Sequence, residues 1–75
     1  MINQKGVLEF ITENTEIERP LGEWADLIND TLGTRCFRMT KRQIGKILHV
    51  VTSKYDVHSI RTVRGNVIYY CFTTQ

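Results

Sequence analysis

Arg42, Lys46 and His49 recur at i, i+4 and i+7. On an α-helix, at about 100° per residue, that spacing stacks all three side chains on one side. Two fixed cations and an imidazole sharing a face could hold phosphates and offer donors to a polar edge. Lys41 precedes them, and Gln43, whose amide both donates and accepts, sits among them. A second polar set surrounds Gly65: Arg61, Arg64 and Asn66. Arg35, Arg38 and Lys54 are outlying cations suited to backbone phosphates or to plain solvation. Cys36, Cys71, His49 and His58 could ligate zinc, but no Cys-x-x-Cys or His-x-x-x-His pair brings two of them together. Buried free thiols are the expectation, with no metal and no cofactor. A Cys/His nucleophile has no acidic orienter or glycine-rich oxyanion loop beside it, and no phosphate-binding glycine loop is present, so catalysis is not expected.

The elements that must position these side chains follow from periodicity. Ile44, Ile47, Leu48 and Val51 fall on one stripe of a helix predicted over 40–52, opposite Arg42, Lys46 and His49. Thr40 and Gln43 have the spacing of a capping box, which sets where that helix begins. A first helix is predicted over 3–16, with Asn3 as N-cap and Val7, Leu8, Phe10 and Ile11 on its apolar side. Residues 16–21 read as a connection in which Pro20 opens the next helix. That helix, over 22–32, should turn Trp24, Leu27, Ile28 and Thr31 inward, with Trp24 as a core anchor. Gly33 stands where helices commonly end in a left-handed residue. Residues 34–39 then cross between helices and insert one side chain.

After Thr52 a turn leads to two β-branched and aromatic runs around Gly65-Asn66, the composition of a hairpin over 57–73. A three-residue loop would put Ile60, Ile68, Tyr70 and Phe72 on one face and pair Arg61 with Tyr69. A two-residue loop would regroup them. The first is favoured for its single apolar face.

Seventy-five residues make one domain, 1–75, and the 41% hydrophobic and 24% charged fractions are those of a folded chain. Charge is polarised: residues 1–34 carry two cations against seven carboxylates, residues 35–75 eight against one. One end of the molecule should attract a polyanion that the other repels. The absence of a long apolar run or a charged-then-apolar leader, with only two cysteines, predicts a cytoplasmic protein with no membrane partner, nucleoid-associated if the polyanion is DNA.

Helix, tight connection, basic helix and hairpin describe an α+β winged helix-turn-helix, three helices followed by a C-terminal β-hairpin wing. Two stretches resemble known families. Arg64-Gly65-Asn66 followed by Tyr69-Tyr70 resembles the wing of RFX-type winged-helix domains. Arg42-Gln43-Ile44-Gly45-Lys46-Ile47-Leu48 is similar to their recognition helix, with Ile44 where an aromatic would stand. The winged helix at the C-terminus of phage and poxvirus-type primase-helicases has the same layout. The resemblance covers roughly residues 20–72. It implies double-stranded DNA as the ligand, in replication initiation or transcriptional control, with other domains or subunits of a replication protein as further partners. The expected contacts are Lys41, Arg42, Gln43, Lys46 and His49 on the helix, Arg61, Arg64 and Asn66 on the wing, and Arg38 and Lys54 at the margins. Arg42 would pair with guanine and Gln43 with adenine. The rival expectation is a protein-interaction winged helix, such as a small phage-type inhibitor, working through its acidic helices or its basic face.

Overall fold

In a computed structural model that describes residues 2–73, three helices and a three-stranded antiparallel sheet form an α+β fold. The first helix, α1, spans Gln4–Thr12, and the Asn3 side chain caps it by accepting the Gly6 N–H at 2.8 Å. It ends short of the predicted Glu16. The Asn14 amide donates to the Phe10 carbonyl at 2.8 Å, and Glu16 takes a left-handed φ of 63°. The Glu16 N–H then donates to Phe72 O at 2.7 Å, so a long-range bond replaces the next helical turn.

The expected connection at 16–21 contains a strand. β1 is Arg19–Pro20, with Arg19 opposite Tyr70 and Pro20 opposite Tyr69. Two residues carry no alternation for a sequence pattern to reveal, and a proline there is tolerated because the strand lies on the sheet edge. Pro20 then serves as N-cap of α2, Leu21–Leu32. This helix buries Trp24, Ala25, Ile28 and Asn29, while Thr31, expected inward, is exposed. The stripe is rotated because Asn29 holds the following connector: its Oδ1 accepts the Met39 N–H at 2.7 Å and its Nδ2 donates to Met39 O at 2.8 Å.

Gly33 ends α2 with φ −81° and ψ 174°, not in the left-handed region. Space is what requires glycine: a Cβ would lie 2.6 Å from Asn29 O and 2.9 Å from Phe37 O. The connector closes a small turn between Thr34 and Phe37, and Met39 is the side chain it packs against the core. Cys36, expected to be buried, is exposed at that turn, and Cys71 is half-buried.

α3 spans Lys41–Lys54, two residues beyond the predicted end. The capping box is complete, with Gln43 N–H donating to Thr40 Oγ1 at 3.2 Å and Thr40 N–H to Gln43 Oε1 at 2.8 Å. Ile44, Leu48 and Val51 are buried, and Ile47 packs beside them. Two strands follow, β2 (His58–Arg64) and β3 (Val67–Thr73), giving the sheet order β1-β3-β2.

The hairpin has a two-residue loop, against the favoured three. Arg64 faces Val67, and Gly65 alone of the tip residues has a positive φ, 62°. Glycine at the first central position is the mark of a type II′ turn, whose twist matches the flanking strands. Arg61 therefore pairs with Tyr70 and Thr62 with Tyr69. Strand alternation puts Phe72, Tyr70 and Ile68 on the helix-facing side together with Arg61, while Ile60 turns outward and is 49% exposed. A one-residue change in loop length exchanged every β2 side chain between faces.

The core gathers where α1 and α2 meet α3 and β3. Trp24, fully buried, meets Phe10 and Phe72 edge-on with ring centroids at 6.2 and 5.0 Å, and its Nε1–H donates to Tyr70 O at 2.9 Å. That bond satisfies the one polar atom of a large apolar side chain. Among the described residues no helix is long and apolar enough to cross a membrane.

Candidate functional site

β3 packs on α1 and α2, while α3 packs chiefly on α1 and α2 and faces the hairpin across a gap. The space between α3 and the hairpin is an open groove of ≈ 650 Å³. Its sides carry Arg42, Lys46 and His49 from α3 and Arg61 from β2, all exposed. Leu21, Val50, Ile68 and Tyr70 supply its apolar surface, and among the described residues no carboxylate lines it. The three α3 side chains are here because Ile44, Leu48 and Val51 turn the opposite face into the core. Arg61 is here because its register with Tyr70 puts it on the helix-facing side of the sheet. Three fixed cations and an imidazole around one groove attract an anionic strand.

The other predicted residues divide. Lys41 and Asn66 come together, lining a smaller pocket of ≈ 90 Å³ with Gly22 at the start of α2. Gln43 is exposed, but its Oε1 is held by the Thr40 N–H. A bidentate adenine pair needs that oxygen as an acceptor too, so while the box stands Gln43 would have to share it through its second lone pair. Arg38 bonds Asp30 at 3.0 Å across the connector. Lys54, at the far end of α3, donates to Gln4 Oε1 at 3.4 Å and lies 5.4 Å over the Tyr55 ring.

Arg64 is the largest change from expectation. It stands on the sheet face opposite Arg61, paired with Glu18 and centred 4.2 Å over the Tyr69 ring. The hydrogen bond it donates to Glu18 raises its pKa above the ordinary arginine value, with that carboxylate's charge acting in the same direction. The wing arginine expected to reach outward is held against the hairpin's own back, while Arg61 joins the helix cations.

Sequence reasoning passed over Val50 and Asn29. Val50 is 41% exposed and follows Lys46 by four residues, so a helical projection alone puts it on the cationic face. Asn29 is 5% exposed and holds the backbone that leads into α3, yet an asparagine in a helix carries no mark of a partner ten residues away.

The chain matches no protein-family model, no curated protein and no solved structure.

Proposed function

We propose that this chain is a winged-helix module that binds duplex DNA in replication initiation or transcriptional control, reading it with α3 and flanking it with the hairpin. The order of helices and strands and the β1-β3-β2 sheet are compatible with that architecture. The observation that carries the reading is one groove whose cations come from both α3 and β2, with no carboxylate lining it among the described residues. Duplex DNA is a regular array of phosphates beside base edges, and a face of this kind meets both. Arg42 and Lys46 engage base edges and His49 extends the same face by one turn. Arg61 takes a phosphate beside the groove, and Lys41 with Asn66 takes another at the start of α3. Arg64 braces the hairpin through Glu18 and is not a primary contact.

Titration of a labelled duplex with nuclease-treated protein at increasing salt tests this. Lys41 and Arg61, the two cations placed on phosphates, predict a slope of log K against log salt of about −2. Arg42→Ala with Lys46→Ala should abolish most of the binding and leave the melting temperature within about 3 °C, because both side chains are exposed. Negligible affinity at low salt, or a nuclease-resistant complex with a protein in place of DNA, refutes the proposal.

A further inference from the structure

We infer that the groove recognises the C5-methyl group of thymine in the major groove, and that Val50 is the residue that contacts it. The inference rests on the duplex-DNA reading above and deepens it to a base preference. Val50 is 41% exposed on the same side of α3 as Lys46 and His49. Isolated apolar side chains are common on protein surfaces and mean little by themselves. This one is not isolated: it lines the groove together with Leu21, Ile68 and Tyr70, so apolar surface runs from α3 across to the hairpin.

Phosphates and the polar edges of bases gain nothing from such a surface. Pressed against it, they would give up hydrogen bonds to water and receive none in return. The thymine methyl is the apolar group that the major groove displays, and it sits beside the acceptors that Arg42 and Lys46 would engage. Cations flanking an apolar contact thus match a polar base edge flanking a methyl. Val50 approaches from the helix, the element that lies deepest in the groove on this reading.

The test compares alternating dA-dT duplex with alternating dA-dU duplex of equal length, at one low salt concentration, by fluorescence anisotropy with the full chain. The two polymers differ only in the methyl. Wild type should bind the dA-dU duplex about fourfold more weakly for each methyl contacted, the effect of burying one methyl-sized group. Val50→Ala should bring the two affinities together and keep the parent melting temperature, since the residue is exposed and alanine favours helix. Equal affinities in the wild type overturn the inference and leave the duplex-DNA reading standing. A preference that survives in Val50→Ala also overturns it, because the methyl would then act through duplex shape or another residue. Binding to neither duplex removes both readings together.

Discussion

Asn29 ties α2 to the backbone that launches α3, so its loss should disturb both stability and the groove. Asn29→Ala removes two hydrogen bonds and leaves the Met39 N–H and carbonyl without partners at a part-buried site. Each unsatisfied buried group costs about 1–3 kcal/mol, and some hydration at this depth brings the pair to about 2–4 kcal/mol. A domain of this length has about 4–11 kcal/mol in total. At about 4–8 °C per kcal/mol, thermal melts followed by circular dichroism should show a loss of about 8–32 °C. Asn29→Asp sharpens the test. It keeps an acceptor for the Met39 N–H but sets a second carboxylate oxygen against the Met39 carbonyl, at a position only 5% exposed. Burial and that carbonyl favour the neutral acid, so the folded-state pKa of the new carboxyl lies above its unfolded value. The variant should therefore gain stability relative to the parent as pH falls through that folded-state pKa, where the protonated carboxyl donates to Met39 O. An Asn29→Ala melt within about 3 °C of the parent would show that water replaces the clamp at no cost, and the reasoning fails. So would an Asn29→Asp variant whose deficit does not shrink in acid.

The two hairpin arginines should separate in the salt titration: Arg61→Ala lowers the magnitude of the slope by about 0.9, while Arg64→Ala leaves it unchanged. A reversed result would return the hairpin's outer face to the interface. Two glycines should separate in the melts. Gly33→Ala drives a Cβ to 2.6 Å from Asn29 O and should cost about 1–3 kcal/mol. Gly45→Ala meets only Leu21 Cδ2 at 3.6 Å and should stabilise α3 by up to about 1 kcal/mol.

Elements whose identity rests on neighbours in the chain were legible before any coordinates. The start of α3 was readable because both partners of its cap, Thr40 and Gln43, are three residues apart. Its cationic face was readable because a regular helix converts spacing directly into direction. The hairpin was readable from composition, but not its register, since Gly65-Asn66 suits loops of two or three residues equally well. That single ambiguity decided which arginine belongs to the groove.

By itself, then, the sequence determined three helices, the hairpin, the capped start of α3 and the sign of charge on its outer side. Tertiary structure decided the rest. β1 exists because Arg19 and Pro20 find Tyr70 and Tyr69 some fifty residues away. α2 is rotated because Asn29 finds Met39. Arg64 faces away because Val67 lies opposite it, and there it finds Glu18, while Arg61 joins Arg42, Lys46 and His49 because Tyr70 lies opposite it. Local order is encoded in spacing, which the linear chain displays. A site shared by a helix and a hairpin depends on long-range pairing and on a strand register that one residue can invert.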